Sequence, residues 1–279
     1  MLKSHDPNFI IVGAMKASTS AAAINLNQHP NIFCVTPWWK NKVTTEHNID
    51  TSTLVNGMSD MSNKELDFFN RVENYAKGIE FYRRYFPVGK RFRGEASPNY
   101  FHLEEKVNHG TIERMKSCLM TDIKIIILLR DPIDRAFSHW NHIQRPETSF
   151  GERFKGKSFN ECTELMSHDG YKNALLNRSK YADNLQSFID GFGKDNVYVG
   201  LQENIKDDML GEYNKIFEFL GADTLDADGV QDFREIHTGE YSVELDTPTR
   251  EYLQFYFKES VDKLKELYPD LDYSKWDTY

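Results

Sequence analysis

The chain has 279 residues with 43 acidic against 34 basic side chains, a net charge of −9, which suits one large α/β domain or two small ones and argues against a general binder of nucleic acid or polyanions. Cys34, Cys118 and Cys162 are odd in number and widely spaced, so they form neither a disulfide framework nor a metal site and read as packing residues. No apolar run reaches the roughly 18 residues that span a bilayer, and Met1 to Pro7 lack the apolar core of a signal peptide, so a soluble cytoplasmic protein is expected, or else a trimmed chain.

The first element is an apolar run without alternation, Phe9-Ile10-Ile11-Val12, which predicts a buried parallel strand over 8–13. A tight turn, Gly13-Ala14-Met15-Lys16, carries a lone cation, and Ala17-Ser18-Thr19-Ser20 opens a helix over 18–28 that must stop before His29-Pro30. From Trp38 to Asn63 the chain is rich in Thr, Asn, Ser and Asp, which predicts a loop or lid over about 38–63. The Trp38-Trp39 pair inside it suits stacking on a flat ligand face or a buried staple. Residues 64–86 are helical in pattern and rich in aromatics. A second buried strand is expected over 123–129, then a helix over 132–143 with Pro132 in its first turn. Arg145 to Lys157 reads as a polar loop. A helix over 180–190 places Tyr181, Leu185, Phe188 and Ile189 on one face. A third strand covers 196–201, a helix over 207–220 ends at Gly221, and a last helix over 247–267 precedes a tail with Trp276. Strands alternating with helices predict a single α/β domain over 1–279, with a central parallel sheet flanked by helices.

Two of these junctions suit anions. After the first strand stand Lys16 and the hydroxyls of Ser18, Thr19 and Ser20; after the second stands Arg130, followed by Asp131-Pro132 and a helix. Each places backbone N–H groups, a positive helix end and a fixed cation together. Two such places imply a ligand with two separated anionic groups. The first loop is not a Walker A motif, because Lys16 follows Gly13 by only three positions and no Gly-Lys-Ser/Thr is present.

The two junctions resemble the 5′-phosphosulfate loop and the 3′-phosphate motif of sulfotransferases that use PAPS (3′-phosphoadenosine 5′-phosphosulfate), and among them the heparan-sulfate-type and bacterial carbohydrate enzymes. Lys64-Glu65-Leu66-Asp67-Phe68-Phe69 is similar to their Lys-Glu-x-x-Phe-Phe segment, and Gly94-Glu95-Ala96-Ser97-Pro98-Asn99-Tyr100 to their Gly-Glu-x-Ser-Pro-x-Tyr stretch. The likeness runs in order over about 8–220. It implies a P-loop-like nucleotide-binding fold, PAPS as donor and PAP as product, and no metal. It also implies that Lys16, Ala17, Ser18, Thr19 and Ser20 cradle the 5′-phosphosulfate and that Arg130 and Ser138 hold the 3′-phosphate. Glu65 becomes the candidate general base, with Lys64 tuning it; Lys16 steadies the leaving phosphate, and His142 is a candidate acid or base. Glu95 is the rival base. Arg135 is expected to pair with an acid on its helix face. His237 to Tyr241 could cover the nucleotide.

The family has Gly-Gly or Gly-Thr after the Lys where this chain has Ala17-Ser18-Thr19-Ser20, which predicts a cradle built from ordinary dihedrals. The acceptor is expected to be a hydroxyl on a carbohydrate or small natural product. A kinase-like phosphotransferase with a degenerate P-loop, or a non-catalytic nucleotide-binding module, stays open as an alternative.

Overall fold

The computed structural model describes residues 6–35, 65–87, 89–104, 108–145, 151–167, 173–228, 233 and 244–276. The expected 38–63 lid with Trp38 and Trp39, Lys64, and the His237–Tyr241 segment lie outside the described residues.

The three apolar runs are strands at the centre of the molecule. β1 (Phe9–Gly13) is buried throughout, and it is flanked by β2 (Ile32–Cys34) and β3 (Phe92–Ala96) on one side and by β4 (Lys124–Leu129) and β5 (Val197–Leu201) on the other. The order is β2-β3-β1-β4-β5, and every pairing is parallel. β1 is therefore where the strand order reverses, and the crevice at its carboxyl end is the standard ligand position of an open α/β sheet.

β2 and β3 were not visible in the hydropathy pattern. β2 has only three residues. β3 reads Phe-Arg-Gly-Glu-Ala, with a charge on each side of a glycine. Gly94 is required there because a Cβ would meet the Phe9 ring at 2.4 Å. Gly13 is required for the same reason against Phe101, again at 2.4 Å.

Helices cover the sheet: α1 (Thr19–Leu26), α2 (Thr111–Cys118), α3 (Pro132–Ile143), α4 (Phe159–Ser167), α5 (Ala182–Phe192), α6 (Met209–Leu220) and α7 (Thr247–Leu267). α7 shows how they dock: Leu253, Phe257, Val261 and Leu264 repeat every three or four positions and are all buried, one apolar stripe against the common core. Among the described residues no helix is long and apolar enough to cross a membrane.

The expected helix over 64–86 does not form as one unit. Only Val72–Tyr75 and Ile79–Arg83 are helical. Asp67 has φ 45° and Gly78 has φ 84°, and either breaks a right-handed helix. The N–H groups that a helix would have used are instead taken up by side chains after β3, described below.

Candidate active site

β1 and β4 are neighbours, so both anion-binding junctions open on the same edge. The link between them is direct: Ala14 N–H donates to Leu128 O at 2.6 Å. Lys16 and Ser18 then take left-handed backbone, φ 73° and 61°. The cradle thus corrects the expectation of ordinary dihedrals: it turns as a glycine loop would, but on side-chain-bearing residues. Each such residue costs on the order of 1–2 kcal/mol. Ala17 is buried, which pins the loop to the core while Lys16 and Ser18 on either side remain partly exposed. Ser18 is the N-cap of α1 but makes no capping hydrogen bond with its side chain, and the first turn holds no acid. The positive end of α1, with Thr19 and Ser20 in its first turn, suits an anion.

Arg130 leaves β4 at the second junction. Its guanidinium is 3.9 Å from Asp134, and Asp134 is 4.0 Å from Arg250. α3 begins at once, capped by Asp131, whose carboxylate accepts from Ile133 N–H and Asp134 N–H at 2.9 and 3.0 Å. Ser138 is buried on α3, two turns beyond Arg130. His142 lies one further turn along, half-buried. Among the described residues Arg135 pairs with no acid. It is fully buried, donating from Nε to Ser179 Oγ at 2.5 Å and from Nη2 to Leu175 O. Burial, with Arg178 and Arg130 nearby, pushes its pKa down to about 10. It is a strut between α3 and the segment that carries Arg178.

The third strand end brings in the carboxylates. Glu65 opens an irregular, turning segment rather than a helix. Asp67 N–H donates to Ser97 Oγ at 3.0 Å, and Phe68 N–H and Phe69 N–H donate to Tyr100 Oη at 2.7 and 3.3 Å. Both hydroxyls in turn donate to one carboxylate: Ser97 Oγ to Glu95 Oε2 at 2.6 Å and Tyr100 Oη to Glu95 Oε1 at 2.9 Å. Tyr82 Oη adds a third at 2.9 Å. Glu95 is wholly buried, and burial raises its pKa to about 7 despite these three donors. A carboxylate sealed in this way is the hub that fixes the Glu65–Phe69 segment, not a rival for contact with an acceptor.

Asn99 stands in the short 3₁₀ turn Pro98–Phe101. Its Nδ2 reaches Glu65 Oε2 at 3.4 Å and Asp67 Oδ1 at 3.3 Å. Its Oδ1 accepts from Arg178 Nη1 at 3.4 Å, and the same Nη1 lies 2.6 Å from Met15 Sδ in the β1 loop. Glu65 and the Lys16 loop are thereby tied through one amide and one guanidinium. Sequence reasoning assigned nothing to Arg178, Asp67 or His139. His139 is buried on α3 with Nδ1 lacking a hydrogen-bond partner; burial first, then Arg135, Arg178, His142 and Lys16, hold it well below the ordinary histidine range. Its only sequence signal was its place beside Ser138. Among the described residues no cluster of His, Cys, Asp and Glu could hold a metal ion.

A family model for the sulfotransferase domain matches residues 6–238. The chain is 32% identical over 152 residues to a mouse bifunctional heparan sulfate N-deacetylase/N-sulfotransferase 3, covering 53% of this chain and 14% of that one. It is 25% identical over 221 residues to mouse heparan sulfate glucosamine 3-O-sulfotransferase 5, covering 77% and 53%. The chain thus spans about half or less of the length of these curated relatives. A solved sulfotransferase from Alicyclobacillus acidocaldarius superposes with a TM-score of 0.71 at 27% identity, over 97% of this chain and 98% of that one. A cation and helix end after β1, an arginine after β4 beside them, and a domain match spanning both together place the chain in the sulfotransferase family.

Proposed function

We propose that the protein transfers the sulfuryl group of PAPS to an acceptor hydroxyl. The observation that carries this reading is the meeting of two anion sites on one sheet edge, joined by the Ala14–Leu128 hydrogen bond. A nucleotide with phosphates at both 5′ and 3′ supplies one anionic group for each junction. Family membership supports the same donor. PAPS, when bound, supplies a sulfuryl group activated by its 5′-phosphate.

The residues then divide the work. Arg130, with its planar fork, and Ser138 hold the 3′-phosphate. Lys16 and the N–H groups at the start of α1 hold the 5′-phosphate and stabilise the charge that grows on its bridging oxygen. Glu65 takes the acceptor's hydroxyl proton as that oxygen bonds to sulfur. The S–O bond to the 5′-phosphate breaks, and its electron pair leaves with PAP. His142, one turn beyond Ser138 on α3, is assigned a part in proton handling. The acceptor is proposed to be a carbohydrate hydroxyl, a reading supported by relatives named for heparan sulfate; the net charge of −9 favours a short or uncharged glycan, or a small natural product, over a long polyanion.

Calorimetry with PAP and AMP tests the donor: PAP is expected to bind far better, because only PAP reaches Arg130 and Ser138. Equal affinity would end the 3′-phosphate assignment. Glu65→Gln tests the base. It is expected to slow transfer roughly 10²–10⁴-fold and leave PAP affinity unchanged.

A further inference from the structure

We propose that Asn99 is the positioning residue for the general base, and that with Arg178 it holds the base in register with the sulfuryl-binding loop. The inference rests on the reading of Glu65 given above.

The geometry is an amide between two carboxylates. Asn99 Nδ2 carries two protons, and it has Glu65 Oε2 at 3.4 Å and Asp67 Oδ1 at 3.3 Å. One amide group therefore serves both acids, one N–H each. A neutral amide is suited to this place, since it donates to both carboxylates and cannot take the proton that the base must receive. A side-chain amide could equally present its oxygen to the acids. Arg178 prevents this: its Nη1 donates to Asn99 Oδ1 at 3.4 Å, so the amide oxygen is turned to the guanidinium and the nitrogen to the acids. Asp67 is held from its other side by Arg71 Nε at 3.2 Å.

Arg178 gives the arrangement its reach. The same Nη1 contacts Met15 Sδ at 2.6 Å, one residue before Lys16. Arg178 is set by its neighbour Ser179, which takes the Arg135 guanidinium and donates to Pro132 O at 2.8 Å. A path of contacts thus runs from the β1 loop through Arg178 and Asn99 to Glu65. A base placed about an ångström away from its productive position loses roughly 10²-fold in rate, so a chain of contacts joining the two halves of the site has a catalytic value that neither half supplies alone.

Among the described residues, the charged groups linked to Glu65 through Asn99 are Asp67 and Arg178, with Arg71 on the far side of Asp67 and the buried Glu95 behind Ser97. Among these, Asn99 is the donor whose removal acts on both acids together. An N–H that hydrogen-bonds a carboxylate favours its charged form. Removing it favours the protonated form, which cannot act as base, so the acidic limb of the pH–rate profile moves to higher pH.

The test is single-turnover conversion of PAPS to PAP, with a heparosan oligosaccharide as added acceptor and with water as acceptor in its absence, for Asn99→Ala, Glu65→Gln and the double variant, alongside PAP calorimetry. Asn99→Ala is expected to slow conversion roughly 10–100-fold, leave PAP affinity within about twofold, and shift the acidic limb upward. In the Glu65→Gln background it should add nothing further, because it acts through Glu65. Asn99→Ser, which keeps a small donor, should recover part of the rate if Asn99→Ala folds poorly. Wild-type rates in Asn99→Ala, an additive double variant, or a parallel loss of PAP affinity would each overturn the role of Asn99. If Glu65→Gln is slow while Asn99→Ala is normal, only this inference falls; if Glu65→Gln is itself normal, the base assignment falls and takes the positioning role with it.

Discussion

Lys16 holds a costly backbone conformation at the place where charge is proposed to develop. Strain of this kind persists only where the surroundings over-determine it, and here buried Ala17 and the Ala14–Leu128 bond do so. Lys16→Ala is expected to lower kcat by roughly 10²-fold or more and to weaken PAP binding much less, since the lysine acts most strongly on charge that appears during transfer. A rise in KM for PAPS with kcat unchanged would make Lys16 a uniform binder. Arg130→Ala should show the opposite split, losing about 1.5–3 kcal/mol of PAP affinity. The places of Lys16, three positions after β1, and of Arg130, directly after β4, were legible in the sequence because an apolar run precedes each. Arg178 was not: it reaches Met15 across 163 positions, and no local pattern encodes a contact made only by the fold.

The segment Glu65–Phe69 is held by the turn after β3 rather than by its own helix. Its backbone N–H groups end on Ser97 and Tyr100, and both hydroxyls end on Glu95. Tyr100→Phe keeps the ring and removes the acceptor, leaving Phe68 N–H and Phe69 N–H buried and unpaired. We expect a stability loss of about 1–3 kcal/mol in urea unfolding and slower transfer with PAP affinity retained. Normal turnover would show that the strut does not orient the base. Glu95 adds a pH dependence. Its pKa is raised from 4.5 to about 7 in the folded state. The folded protein thus binds more protons than the unfolded chain between those values, and the contribution of Glu95 to stability falls as pH rises through that window. Glu95→Gln should flatten the decline in urea midpoint between about pH 5 and about pH 7.5; an unchanged slope would sink the idea. The aromatic periodicity of 64–86 misread this region because the rings serve a core, as in the Phe68–Tyr82 stack at 4.6 Å, while side chains elsewhere satisfy the backbone. β1, β4 and β5 were readable since buried parallel strands are continuous apolar runs. β3 was hidden by the very Glu95 and Gly94 that give it its role.

Over the whole molecule, five parallel strands converge on one edge, and the last described residues return to it. Trp276 is 2% exposed and donates from Nε1 to Glu203 Oε2 at 3.1 Å; Glu203 Oε1 accepts from Asp131 N–H at 3.0 Å. Its ring also packs on Tyr181 at 6.3 Å, and Tyr181 Oη donates to Arg130 O at 2.8 Å. Glu203 and Tyr181, two neighbours of Trp276, thus end on the Arg130–Asp131 peptide. The consequence is optical. The indole of Trp276 is two hydrogen bonds from the Arg130–Asp131 peptide, where the 3′-phosphate is proposed to bind, so its emission should respond when that junction takes up charge. A PAP titration is expected to shift the fluorescence of the wild-type protein, and AMP, lacking the 3′-phosphate, to shift it little. Trp276→Phe should abolish the signal while calorimetry still detects PAP; a full signal surviving in that variant would place the reporter elsewhere. The tail at the far end of the chain would then serve as a built-in gauge of nucleotide occupancy, readable without label or acceptor.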